Sequence, residues 1–297
     1  MSTDERSREE PTSTVKLGYI GLGNQGAPMA KRLVDWPGGL IVFDVRTEAM
    51  TPLAELGATL ADNIADVAAA DVISVTVLND EQVRDVVGEL AAHAIEGTVI
   101  AIHSTIEPGT AVELAEQLAP KGIHIVDAPV SGGAGAAEKG ELAVMVGADQ
   151  HVYDRVKPVF KQWASMVVRA GEPGAGTRMK IARNMLTYIG FTAACEAQRL
   201  AEASGIDLQK LGRVVRHSDA QSGGPGAIMY RDDTKNLAPD HFLHDMFVHT
   251  RGLAEKDLKL ALALGEATGV ELPLAEIALR DLAAGLGVPY TTSTTKE

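Results

Sequence analysis

The sequence predicts an α/β domain with a parallel sheet, then one long helix and an all-α C-terminal domain. Three observations carry this prediction. Residues 15 to about 170 alternate short β-rich runs with amphipathic stretches at the spacing of strand–helix–strand units. The runs are apolar almost throughout, as strands covered on both faces must be. From Thr177 to Ser204 only Gly190 breaks an otherwise uninterrupted helical pattern, and the chain beyond it reads helical.

Taken in order, the expected strands are 16–20, 40–44, 72–77, 98–102 and 123–127, with helices over 27–34, 81–92 and 110–118. Two later runs, 142–146 and 166–169, extend the sheet around a helix over 151–162. The 177–204 stretch would reach ~42 Å at 1.5 Å per residue. Gly205-Ile206-Asp207 ends it, with Asp207 as N-cap of the next helix. Helices follow over 208–217, 247–268 and 274–285, with a glycine-rich break at 222–226. The division expected is a disordered tail over 1–14, a first domain over 15–173 and a second over 174–297 that includes the interdomain helix.

Composition narrows the function. Of 297 residues, 45% are apolar and 23% charged, ordinary for a soluble globular chain. Aromatics make up only 4%, so the core packs small aliphatic side chains. The net charge of -13 excludes nucleic acid as a bulk partner, because no basic stripe is present to displace counterions. It also requires that any site for an anionic substrate carry its own local positive charge. Cys195 is the single cysteine, which rules out an intrachain disulfide; mid-helix, it is expected to be a small buried side chain. Residues 1–14 lack the apolar core of a signal peptide. No run reaches the ~18 apolar residues of a membrane span. A cytoplasmic location without a membrane partner is the expectation.

Gly21-Leu22-Gly23-Asn24-Gln25-Gly26 stands between the first strand and the first helix. The first glycine allows a tight turn, the second close approach of a pyrophosphate, and the third close packing of helix on strand. Asp44 closes the second strand 18 residues after Gly26. This is a Rossmann-like dinucleotide site, and an acid there favours NAD over NADP by bonding the ribose hydroxyls. Arg46, two residues on, pulls the other way because it can hold a 2′-phosphate.

Two segments suggest chemistry. Asp127-Ala128-Pro129-Val130-Ser131-Gly132-Gly133 follows a strand at the carboxyl edge of the sheet. Its serine hydroxyl and glycine N–H groups can form an anion nest. Lys180 and Asn184, i and i+4, share a face at the head of the long helix. A partly desolvated lysine there has a lowered pKa and can serve as a general base. His217, Asp219, His241, His244 and Asp245 match no metal-ligand spacing, and no metal is expected.

Together with Lys256-Asp257-Leu258 late in the chain, these motifs resemble the β-hydroxyacid dehydrogenase family, over residues 15 to 285. Its members include 3-hydroxyisobutyrate dehydrogenase and tartronate semialdehyde reductase, with 6-phosphogluconate dehydrogenase as a more distant relative. The resemblance implies NAD(P)-dependent oxidation of a small β-hydroxy acid, or the reverse reduction, and a homodimer or homotetramer. It implies catalytic roles for Lys180 and Asn184, and substrate binding by Ser131, Gly132 and Gly133. It places Leu78 beside the adenine or ribose, Ser104 and Thr105 beside the nicotinamide ribose, and Lys256 near the cofactor.

This chain departs from the pattern at Arg183, where an asparagine is usual, and at His249, where an aromatic ring is usual. His249 suggests a pocket for a more polar acid than hydroxyisobutyrate. Two other readings stand beside this one. An imine reductase shares the architecture but usually lacks the lysine. A non-catalytic dinucleotide-binding module would be expected to lack it as well.

Overall fold

The computed structural model describes residues 14–228, 230 and 233–290; the tail expected over 1–14 lies, except for Thr14, outside the described residues. Contacts divide the chain into one unit up to Met185 and another from Leu186, a division inside the long helix.

The first unit runs β1 (Leu17–Ile20), α1 (Gly26–Lys31), β2 (Leu40–Phe43), α2 (Thr47–Ala54), β3 (Thr59–Leu60), α3 (Ile64–Val67), β4 (Val72–Val75), α4 (Asp80–His93), β5 (Val99–Ile102), α5 (Pro108–Leu118) and β6 (His124–Asp127). It continues with β7 (Val130–Ser131), α6 (Gly133–Lys139), β8 (Leu142–Gly147), α7 (Gln150–Phe160), β9 (Ala164–Gly171) and the start of α8 (Ala175–Ala203). The sheet order is β3-β2-β1-β4-β5-β6-β8-β7, with β9 also on β8. From β3 to β6 every pairing is parallel. The chain leaves β1 toward β2 and returns to its other side with β4. That reversal is the switch point at which open α/β sheets bind ligands.

The two later runs extend the sheet as expected, but the extension is not all parallel. β8 runs antiparallel to β6 and β7, and β9 parallels β8. After β6 the chain turns through Ala128-Pro129 to form β7, so both pair with successive parts of β8. The short α2, α3, α6, β3 and β7 were not expected. They are four to eight residues (helices) or two residues (strands) long, too short to show a period.

Strand alternation feeds two aliphatic clusters, one on each face. Leu17, Val72, Val99 and Ala101 enter one; Ile73, Val75, Ile100 and Ile102 enter the other. Helices follow the same logic. In α4, Val83, Val86, Val87 and Leu90 are buried at helical spacing, and Asn79 caps the start by accepting the Gln82 N–H at 2.9 Å.

The second unit holds the rest of α8, then α9 (Leu208–Ser222), α10 (His244–Thr268) and α11 (Pro273–Gly285). The buried Glu196 carboxylate on α8 accepts the Leu274 and Ala275 N–H groups at 3.2 and 3.1 Å, which caps α11. Among the described residues its buried cluster is small: Leu243, Phe247, Leu286 and Val288. Tyr188, Ile189 and Phe191 of α8 are exposed. Cys195 is exposed too, contrary to expectation.

Candidate active site

The parallel strands present their carboxyl ends at one edge, tied by backbone bonds that continue past the strands. Gly21 N–H reaches Phe43 O (3.0 Å), Thr76 N–H reaches Ile20 O (2.8 Å), and His103 N–H reaches Val75 O (2.8 Å). The glycine loop sits on this edge. Gly21 has φ +91°, and a Cβ there would lie 2.2 Å from the Thr76 carbonyl oxygen. A Cβ on Gly26 would lie 1.9 Å from Gly21 O. Gly23 instead faces open space, with nothing within 4 Å of where its Cβ would be. Packing therefore demands the first and third glycines, while the second leaves room for a ligand. The Gln25 side-chain nitrogen is buried with no partner among the described residues, a donor left over in the same loop. Asn24 is exposed beside it. These residues fit a dinucleotide.

Asp44 follows β2 and is buried. Its carboxylate accepts the Leu22 N–H (2.6 Å), the Arg46 N–H (2.9 Å) and Arg46 Nε (3.1 Å). Burial pushes its pKa up, but the Arg46 and Leu22 donors outweigh that and hold it below the usual carboxylate value. Leu78 and Val45 are each 88% exposed at this edge, two apolar side chains without cover. Sequence reasoning missed Val45; its only signal is an apolar residue between Asp44 and Arg46. Ser104 is buried, donating to Val77 O (2.5 Å) and accepting the Val77 N–H (3.0 Å), so it braces the turn that carries Leu78. Thr105 is exposed.

The catalytic candidates converge at the head of α8. Lys180 is partly buried, and its Nζ donates to Val130 O at 2.6 Å. Burial lowers its pKa, and the nearby positive charge of Arg183 lowers it further. Asn184, one turn on, is partly buried and takes an Arg183 Nη1 donor at 3.4 Å. Ser131, Gly132 and Gly133 directly follow Val130, with both glycines at positive φ (+134° and +73°). A conformation at those angles favours glycine and turns the segment into α6.

His249 and Lys256 lie on α10 in the second unit, seven residues apart and so on one helix face. Both are exposed, and Lys256 Nζ pairs with Asp257 Oδ1 at 3.2 Å. His241 and His244 make local contacts, to the Leu243 N–H and to Asp245. Among the described residues no group of three or more His, Cys, Asp or Glu side chains is placed to hold a metal, and no helix is long and apolar enough to cross a membrane.

A glycine cradle at the switch point and an amine with a depressed pKa in the same unit define an NAD(P)-dependent oxidoreductase. Comparison with known proteins narrows the class. A family model described as the NAD binding domain of 6-phosphogluconate dehydrogenase matches residues 16–171. A second, described as NAD-binding of NADP-dependent 3-hydroxyisobutyrate dehydrogenase, matches residues 174–287. An uncharacterised oxidoreductase of Mycobacterium tuberculosis is 65% identical over 93% of this chain and 95% of its own. The 3-hydroxyisobutyrate dehydrogenase of Pseudomonas aeruginosa is 33% identical, over 88% of this chain and 89% of its own. A solved structure of a protein described as an oxidoreductase, from Mycobacterium avium 104, superposes with a TM-score of 0.91 at 71% identity, covering 93% of this chain and all of that one. The chain belongs to the β-hydroxyacid dehydrogenase family.

Proposed function

We propose that this protein oxidises the hydroxyl group of a small β-hydroxy acid, or runs the reverse reduction, with Lys180 as the proton-transfer residue. The bond from Lys180 Nζ to Val130 O carries this reading, because it holds the amine beside the Ser131–Gly133 donors. A bound nicotinamide supplies the hydride acceptor or donor. The rest falls to the chain. Ser131 Oγ and the Gly132 and Gly133 N–H groups receive the substrate carboxylate. Neutral Lys180 takes the hydroxyl proton in oxidation, and its ammonium form returns one in reduction. Asn184 orients the hydroxyl. Arg183, joined by Lys180 when it is in its ammonium form, provides the local positive charge that a chain of net charge -13 needs to hold an acid.

The cofactor edge supports NAD in preference to NADP. Asp44 places a buried carboxylate after β2, and the same carboxylate neutralises the arginine that would otherwise attract a 2′-phosphate. Val45 and Leu78 offer apolar surface for the adenine. For the substrate, His249 in place of an aromatic ring supports a more polar acid than hydroxyisobutyrate. Residues 15–173 serve as the cofactor domain and 174–297 as the substrate and assembly domain.

A second copy of the chain is the natural cover for α8. Ile181, Tyr188, Phe191 and Cys195 recur at helical spacing and all are exposed. Exposed apolar surface on this scale marks an interface, which supports a homodimer or homotetramer.

The decisive experiment is a panel of hydroxyisobutyrate, glycerate, serine and bulkier β-hydroxy acids, each with NAD and with NADP, followed by nicotinamide absorbance. Turnover of at least one polar acid with NAD is expected. No turnover of any acid would overturn the proposed reaction. A clear preference for hydroxyisobutyrate would overturn the polar pocket.

A further inference from the structure

Asp127 is fully buried, and the proposed reaction does not use it. Its two carboxylate oxygens accept two N–H groups at the head of α8: Oδ1 from Gly174 at 2.7 Å and Oδ2 from Thr177 at 2.6 Å. These donors flank the first helical turn, whose N–H groups have no partner within the helix. A carboxylate bonded to both opposes sliding along the helix axis and rotation about it. Burial pushes the Asp127 pKa up, and the two backbone donors oppose that rise.

The surrounding fit is close. A Cβ on Gly176 would lie 2.3 Å from Met145 O and 2.5 Å from Asp127 O, and one on Gly147 would lie 2.0 Å from Asp127 Oδ1. The helix therefore meets β6 and β8 backbone to backbone. Gly176 and Lys180 are i and i+4, so the side of α8 pressed on the sheet is also the side that carries the amine.

Three residues after Asp127, the Val130 carbonyl holds Lys180 Nζ. The residues between are fixed as well. The Ala128 carbonyl accepts from His103 Nδ1 at 2.9 Å, and the Pro129 carbonyl accepts the Met145 N–H at 3.1 Å. One rigid segment thus grips α8 at two points: the helix backbone through Asp127 and the lysine through Val130.

We propose that Asp127 is a positioning residue for Lys180, setting where the amine stands by clamping the first turn of α8 from the strand that ends beside it. The proposal rests on Lys180 being the proton-transfer group of the reaction above. Asparagine at 127 keeps the shape but puts an NH2 against a backbone N–H, so one of the two bonds is lost. A displacement of ~1 Å at a reacting group can cost on the order of 10²-fold in rate.

The test is a double-mutant cycle in the cofactor-loaded enzyme. Asp127→Asn should lower kcat 10- to 100-fold, by the magnitude above. It should leave cofactor affinity within about twofold, and in a Lys180→Ala background it should change kcat less than about twofold, since the cycle isolates pairwise coupling. An equal loss in both backgrounds would show a merely structural role and overturn the proposal. Thr177→Pro deletes one donor in the first helical turn, where the N–H has no intrahelical bond to lose, and it serves if Asp127→Asn fails to fold. A second readout needs no turnover: the pH dependence of acetic anhydride labelling at Lys180, read by mass spectrometry. The midpoint should move in Asp127→Asn, and an unmoved midpoint would overturn the proposal. If Lys180→Ala keeps full turnover, the proposed reaction falls, and the labelling midpoint alone decides the role of Asp127.

Discussion

The two units bury their apolar residues in different ways. In the first, both sheet faces are covered by helices from the same chain, and side chains as large as Trp163, Phe160 and Tyr19 are fully enclosed. In the second, the buried cluster is small, while Tyr188, Ile189 and Phe191 stand exposed on the helix that enters it. The first unit completes its own core. The second has apolar surface left exposed among the described residues. Rigid chemistry belongs in the first kind of structure, because clamps such as the one from Asp127 need surroundings that do not yield. The proposed assembly would use the exposed apolar face of the second.

Four experiments break or sharpen this contrast. The largest effect is expected at the amine. Lys180→Ala should lower kcat by about 10²–10⁴-fold, the range typical of general acid–base groups, with cofactor affinity kept. A parallel loss of cofactor binding, measured by fluorescence titration of reduced nicotinamide, would mean that the first unit is less self-sufficient than its packing implies.

Next is the response of the first unit to acid. His103 is buried against Tyr19, Phe160 and Trp163, with Nδ1 on the Ala128 carbonyl and Nε2 3.0 Å from Ser74 Oγ. A carbonyl only accepts, so Nδ1 carries the proton and Nε2 accepts from the serine hydroxyl. Burial lowers the His103 pKa from 6.5 to about 4. As pH falls below 6.5 the unfolded chain takes up this proton before the folded one. The folded state therefore loses stability between 6.5 and 4, by up to about 3 kcal/mol. Guanidinium melts across that window should show the slope. In His103→Phe the slope should flatten, although the protein is less stable at neutral pH because Ser74 and the Ala128 carbonyl lose their partner.

The exposed face of α8 is tested by Phe191→Glu. A buried charge at an interface centre should weaken assembly by roughly 2–4 kcal/mol and give monomer in sedimentation velocity. Cys195, one turn from Phe191, reports on the same face: a thiol reagent should label it faster in the variant than in the wild type. Unchanged sedimentation would mean that something other than a second copy covers the helix.

The smallest effect is expected at the cofactor edge. Asp44→Ser removes the carboxylate and frees the Arg46 guanidinium from it. The ratio of kcat/KM for NADP to that for NAD should rise about tenfold, near 1.4 kcal/mol. A fixed ratio would remove Asp44 from cofactor choice.

Residue pattern alone determined the order of the long elements, the glycine loop with Asp44 beyond it, and the pairing of Lys180 with Asn184 on one helix face. These are local properties, set by strand and helix periods and by the few residues that can occupy a tight turn. The reversed direction of β8, the exposure of Cys195, and the second grip on α8 were decided only by the tertiary structure. Asp127 reaches Gly174 and Thr177 across about 50 residues of sequence, and Lys180 reaches Val130 across the same gap of 50. No periodicity records a contact at that separation. It exists because packing β6, β8 and the head of α8 together leaves a buried carboxylate facing two backbone donors that had no other partner.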